Sequence, residues 1–280
     1  MKPEERSRLE ALRASLDDIL RGSVEEEPSC PSIPINASTL PLPYISQVGP
    51  GADNHRNDCG AAAGAMLVEA YTGQAITPDE FYRKTGLSGD RYLSAYQIMN
   101  VMKDLGVNAT WYKDLTLPDL YSFLIRRRPV IALISYATLR TVVKTESSFT
   151  GPHFTPVVGM DVSNVYIHDP LWKEDGGKAM AVPINGFNRA WASSGEVNPN
   201  IHYGAIVPTA GIGEPQTSMY QAKVTATWLN VREGPDASYP TIGPALRYGE
   251  VVTVHEEEGK WGRIGPSHWI HLGYTERIVD

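Results

Sequence analysis

Cysteine is nearly absent from this chain: Cys30 and Cys59 are the only two among 280 residues. That excludes a disulfide framework and any cysteine-rich zinc site. A Cys30–Cys59 bridge would consume both thiols, but so few cysteines suit a reducing compartment, and both are read as free. Positive charge is also in short supply. Lys and Arg total 25 against 32 Asp and Glu, a net charge of −7, with a pI near 5.5. Nucleic acid and anionic membrane are therefore not expected as main partners. No apolar run approaches the ~20 residues that cross a bilayer, so membrane insertion is not expected either. The start, Met1-Lys2-Pro3-Glu4-Glu5-Arg6, lacks the apolar core of a secretory signal. The expectation is a cytoplasmic protein that reaches the cell wall only by another release route. No cofactor and no metal is expected.

What is present suits a globular protein of two domains: 42% hydrophobic and 20% charged residues over a length of 280. Residues 1–40 read as an amphipathic helix (Leu9, Leu12, Leu16, Ile19) ended by Gly22, then a Glu- and Pro-rich tether. From residue 41 to 208 the pattern is that of a mixed domain, helices first. Residues 60–71 are a buried small-residue helix. Thr77-Pro78-Asp79-Glu80 is a capping box opening a short helix to about Thr85. Further helices are expected over about 94–105, and from Thr116 to before Pro129. The period then changes to β-branched runs at 129–135, 154–162, 164–169, 180–184 and 203–208. Helices followed by an antiparallel sheet indicate an α+β layer architecture. Residues 209–219 read as a linker, and 220–280 as a small all-β barrel with a Trp and Tyr core.

Cys59 carries the chemistry. A thiol near its free pKa of about 8.5 is mostly protonated at neutral pH. At the start of a helix, unpaired N–H groups and the macrodipole favour the thiolate, and Asp58 is placed to cap them. A nucleophile also needs a base, an orienting group and an oxyanion donor. Of seven histidines, His153 is the best base, because it opens a strand after Gly151-Pro152. Asp169 ends the next strand, and a hairpin would bring both towards its open end, where the carboxylate fixes the imidazole tautomer. Direct contact is expected to need a turn centred near Asp161. His168 is the rival base, but strand alternation turns it away from Asp169; His55, close to Cys59 along the chain, stays a minor alternative. Gln47 is the candidate oxyanion donor together with the Cys59 backbone N–H. Taken singly, each residue has an ordinary structural role; their order and placement favour the joint reading.

These residues carry a resemblance. "LPYISQ … NDCGAAAGAM … HFTPVVGMD … VYIHDP", over about residues 41–208, resembles the bacteriocin-processing, double-glycine leader peptidases, specifically the stand-alone C39-like branch. The resemblance implies a papain-like fold and thiol-dependent peptide cleavage, with Cys59 as nucleophile, His153 as base, Asp169 as its orienter and Gln47 as oxyanion donor. Two departures stand out: Ala61 follows Asp-Cys-Gly where many members have Pro, and "VGPGADNHRN" is inserted between Gln47 and Cys59. No exporter is fused here, so cleavage after a Gly-Gly leader is not expected. The segment "LNVREGPDASYPTIGPALRYGEVVTV" resembles bacterial SH3-like domains, which implies binding of cell-wall peptide or positioning of a hydrolase. The leading expectation is a cysteine peptidase or amidase on a peptide or cell-wall peptide. Its rival is a catalytically inactive binding or adaptor protein of the same fold. A third idea makes residues 1–42 a regulatory pro-segment.

Overall fold

A computed structural model describes residues 39–52, 59–88, 91–192, 201–214 and 219–278. The expected N-terminal helix and tether, Cys30, His55 and the Asp58 cap lie outside the described residues.

Helix α1, Cys59–Thr72, is built of Ala and Gly at its start because it is buried on every side there; its first ten residues are all buried. Small side chains let neighbours press close: a Cβ on Gly60 would meet Ile98 Cδ1 at 2.7 Å, and one on Gly64 would meet Phe81 Cζ at 2.3 Å. Those neighbours belong to α2, Pro78–Arg83, and α3, Ala95–Asp104. Reciprocal capping boxes start both helices, Thr77 with Glu80 and Ser94 with Gln97. Each box satisfies two backbone donors that a helix start otherwise leaves open. A third box, Thr116 with Asp119, opens α4, Leu117–Ile125.

Six strands follow: β1 (Ala109–Tyr112), β2 (Val130–Ser135), β3 (Pro152–Met160), β4 (Asn164–Ile167), β5 (Met180–Pro183) and β6 (Ala205–Pro208). They form one antiparallel sheet in the order β1-β6-β2-β3-β4-β5. Every residue of β2 is buried, as a continuous apolar run requires when both sheet faces are covered. The α1–α3 layer packs through Met66, Ile98 and Met102 against Ile131, Leu133, Phe154 and Ile206. Short α5, Tyr136–Leu139, and α6, Ile184–Ala192, complete the helical set. Within α6 Trp191 is fully buried and its indole N–H donates to Gly204 O at 2.9 Å. Strand β1 and helices α5 and α6 go beyond the elements expected from sequence; the strand and α5 are four residues each, too short to show a period.

The C-terminal region is all β: β7 (Tyr220–Val224), β8 (Trp228–Leu229), β9 (Leu246–Arg247), β10 (Val251–Val254), β11 (Glu256–Glu258), β12 (Trp261–Gly265), β13 (His268–His271) and β14 (Thr275–Arg277). The sheets run β10-β7-β14 and β11-β12-β13, with β8 paired to β9. The expected Trp and Tyr core is corrected here. Val224, Leu229, Val231 and Ile270 form the core, with Ile242, Leu246, Val252 and Ile264 around it. Trp269 is buried, whereas Trp228 is 60% and Tyr274 54% exposed. So small a cross-section has room for branched aliphatics, and the large rings sit outside, Trp228 under the Arg247 guanidinium at 5.0 Å.

Candidate active site

Helix α1 begins at Cys59, whose side chain is buried yet borders an open cleft. Starting the helix there leaves the first-turn N–H groups without intrahelical partners around the sulfur. Cys59 is a free thiol.

The hairpin of β3 and β4 brings His153 to Asp169, Nε2 to Oδ1 at 3.0 Å, with both side chains fully buried. The turn is not centred near Asp161 as contact was expected to need. It runs over Val162–Ser163: Asp161 N donates to Asn164 O at 2.9 Å, and Asp161 Oδ1 accepts from Ser163 N at 2.8 Å and Asn164 N at 2.7 Å. A β-bulge makes up part of the offset. Gly159 pairs with Tyr166 but Val157 with Ile167, so one extra β3 residue advances Asp169 by one position towards His153. The carboxylate then reaches diagonally for the rest, a span common between neighbouring strands.

Asp169 is held at every acceptor. Oδ1 also accepts from Leu171 N at 3.1 Å, Oδ2 accepts from Tyr136 OH at 2.8 Å, and its backbone N donates to Gly177 O at 2.9 Å. Tyr44 OH lies 2.8 Å from Asp169 O and 2.9 Å from Trp172 O. Gly177 is required here: a Cβ would stand 2.1 Å from Asp169 O. Tyr136 also sets its ring edge-on to His153, centroids 4.9 Å apart. Burial and the Asp169 charge hold the Tyr136 phenol well above its usual pKa, so it stays a donor. The roles of Tyr136, Tyr44 and Gly177 escaped the sequence reading: no motif marks Tyr136 or Gly177, and within "LPYISQ" Tyr44 drew no role; only the fold brings them to Asp169.

Burial opposes a charge on His153, but the hydrogen bond to Asp169 and the influence of the Cys59 thiol outweigh it and push the pKa up to about 9. Nε2 is committed to Asp169. The other ring nitrogen, Nδ1, is buried with no completed hydrogen bond among the described residues, while the Cys59 thiol acts on the same ring. His168 does something else. Its Nδ1 accepts from Ala179 N at 3.0 Å, so Nε2 carries the proton and donates to Leu42 O at 3.0 Å. Burial lowers its pKa and keeps it neutral. It is a fully satisfied structural histidine, turned away from Asp169.

Gln47 is buried, and its backbone N donates to Pro170 O at 2.8 Å, which ties its loop to the residue after Asp169. Its Oε1 is buried with no hydrogen-bond partner among the described residues. The cleft beside Cys59 measures about 340 Å³. Among the described residues, no group of three or more His, Cys, Asp or Glu is arranged to hold a metal, and no helix is long and apolar enough to cross a membrane.

No curated protein sequence matches the chain. Among solved structures, a protein described as a C39-like peptidase from Bacillus anthracis is similar at 17% identity, covering 61% of this chain and 96% of that one, with a TM-score of 0.44. A double glycine motif protease from an AMS/PCAT transporter, solved with its leader peptide, is 17% identical over 63% and 97%, TM-score 0.38. The peptidase domain of Streptococcus ComA, a bi-functional ABC transporter, is 17% identical over 59% and 96%, TM-score 0.40. Residues 227–276 match the bacterial SH3 domain. With residues 39–199, more than half its length, matching the Peptidase_C39 like family, the chain belongs to that family of peptidases.

Proposed function

We propose that the protein is a cysteine peptidase that cleaves peptide bonds through Cys59, His153 and Asp169. One observation carries this reading: His153 has one nitrogen spent on a fully bonded Asp169 and the other buried, unpartnered and on a ring that the Cys59 thiol acts upon. In the first step the Cys59 thiolate adds to the scissile carbonyl carbon. The C–N bond breaks as His153 Nδ1–H protonates the leaving amine, and a thioester remains. Acylation removes the thiolate, and with it one of the interactions that raise the His153 pKa. The ring then serves as base: Nδ1 takes a proton from water, whose oxygen adds to the thioester carbonyl. Cys59 leaves with the peptide acid released.

Gln47 is the proposed oxyanion donor, working with the Cys59 backbone N–H. Its side chain is buried on the loop that its backbone N ties to Pro170 O, and the donor in this role would be the amide Nε2. The SH3-like barrel is proposed to hold the enzyme at its place of work, the cell wall being the candidate, through exposed Trp228, Tyr248 and Tyr274.

Iodoacetamide labelling of the full chain, read by peptide mass spectrometry, tests the mechanism. Alkylation confined to Cys59 and suppressed in His153→Ala supports it. A Cys59 that stays unmodified in folded protein, or a Cys59→Ala variant that still cleaves peptide, overturns it.

A further inference from the structure

We infer that the cleft beside Cys59 is a subsite for a bulky apolar side chain, aromatic or branched aliphatic, on the substrate residue adjoining the scissile bond. The inference rests on Cys59 being the nucleophile, because the cleft wall includes that residue itself. Whatever fills it therefore sits next to the bond under attack.

The walls are Trp111, Leu133, Phe154, Leu93 and Ile201, with Tyr96 at the lip, 66% exposed. No charged side chain lines the cleft among the described residues. Of the lining hydroxyls, Ser94 Oγ is already committed: it lies 2.9 Å from Gln97 Oε1 and accepts from Gln97 N at 3.3 Å in the α3 capping box, while Tyr92 and Tyr96, 58% and 66% exposed, belong to the solvent-facing edge. A charged substrate side chain would lose its water and meet no counter-charge among the described lining residues. At about 340 Å³ the cleft is at the small end of ligand pockets, which run from roughly 300 Å³ upward. That is room for one or two side chains. A Gly-Gly pair would leave the apolar wall uncovered. The stem peptides of bacterial cell wall, which carry carboxylates and an amine, offer charge where the described lining of the cleft offers none. The occupant that fits is an apolar residue of a polypeptide.

A matched series of peptidyl vinyl sulfones tests this. The residue next to the warhead is Phe, Leu, Gly, Lys or Glu, and the readout is the rate of covalent labelling at Cys59 of the full chain. A mixed peptide library digested in parallel, with Cys59→Ala as blank, gives the residues on both flanks of each cut. Phe or Leu on one flank should exceed Gly, Lys and Glu by roughly tenfold or more. Ala95 also borders the cleft, and Ala95→Leu should narrow it and lower the Phe-to-Gly ratio by about tenfold. Preference for Gly or for a charged flank, with Cys59 reacting normally, overturns the subsite while leaving the mechanism standing. If Cys59 reacts with no probe, binding of Phe- and Gly-containing peptides to Cys59→Ala decides instead. Tighter Phe binding supports the cleft as a site for an apolar side chain and overturns only its placement beside a bond that Cys59 attacks; equal binding overturns both.

Discussion

Two buried charge clusters stand at different places in this molecule, and they are built to opposite ends. At the candidate site, Asp169 holds His153 through Nε2 and leaves Nδ1 unpartnered beside a thiol. Where the sheet domain meets the barrel, Glu256 takes Arg128 Nη1 at 2.5 Å, Arg263 Nε at 2.6 Å and Arg126 Nη1 at 3.5 Å. Arg128 also donates to Pro208 O through Nε at 2.7 Å and through Nη2, while Arg263 Nη1 donates to Tyr112 OH at 2.5 Å. The guanidiniums of Arg128 and Arg263 both lie over the Phe123 ring. One carboxylate thus serves two buried guanidiniums drawn from both sides of the junction. Arg263 Nη2 is also buried without a hydrogen-bond partner among the described residues, so a left-over atom alone does not separate the two clusters; the difference is that the one at the candidate site belongs to a titratable ring beside a thiol and a cleft.

Breaking each cluster should separate the two roles. The largest effect is expected from Cys59→Ala: kcat/KM on a peptide substrate falls by about 10⁴-fold or more, while the thermal midpoint moves by no more than about 3 °C, since little packing is lost. Gln47→Ala should follow, with kcat reduced by roughly 10²-fold and KM little changed. Glu256→Gln should do the reverse. Leaving two buried guanidiniums uncompensated costs about 3 kcal/mol, a fall of roughly 6–12 °C in midpoint, with activity per folded molecule unchanged. Calorimetry beside steady-state kinetics distinguishes these patterns.

The two clusters should also answer pH in opposite directions. His153 is raised from 6.5 to about 9 in the folded protein, so its contribution to stability is full below pH 6.5 and is lost as pH rises to about 9. The alkaline limb of kcat/KM should fall near 9, and Asp169→Asn should move it to lower pH. At the junction His255, with Nδ1 3.0 Å from Thr110 Oγ1, is lowered to about 4 by burial and by Arg263 and Arg128. Its neutral form is the one the fold accommodates, so stability there is lost as pH falls from 6.5 towards 4. Burial works against the Glu256 carboxylate, but Arg128 and Arg263 outweigh it and lower its pKa. Its contribution is present above 4.5 and lost only at more acid pH. Thermal midpoints from pH 4 to 9, for the parent chain and His255→Gln, check both directions: the variant should lose the slope on the acid side alone. The smallest expected effect is that of Tyr136→Phe, which leaves Asp169 Oδ2 without its donor. It should cost about 1–2 kcal/mol and lower kcat several-fold with KM unmoved.

Much of the sheet domain was legible in the chain because its signals are local. The three capping boxes lie within four-residue windows, and the small-residue run of α1 announces a buried helix wherever it packs. The barrel misled for the opposite reason. Trp and Tyr are apolar enough to suggest a core, but which rings are enclosed depends on the cross-section that the strands close around, and of Trp228, Tyr239, Trp261, Trp269 and Tyr274 only Trp269 is buried. The hairpin was half legible: its strands follow from β-branched runs, whereas the bulge at Val158 leaves no mark in composition.

By itself, then, the sequence determined that a lone thiol opens a small-residue helix, that a histidine and an aspartate flank one hairpin, and that two unlike domains follow each other. These rest on short-range preferences that hold whatever the rest of the chain does. Tertiary structure alone decided that His153 and Asp169 touch across a bulge, that Tyr136 pins the Asp169 carboxylate while Tyr44 and Gly177 hold its backbone, and that the described lining of the cleft beside Cys59 is mostly apolar. It also joined Arg128 to Glu256 across 128 residues. Each of these depends on surfaces brought together from distant parts of the chain, where burial sets the energy of a charge and no local window contains both partners.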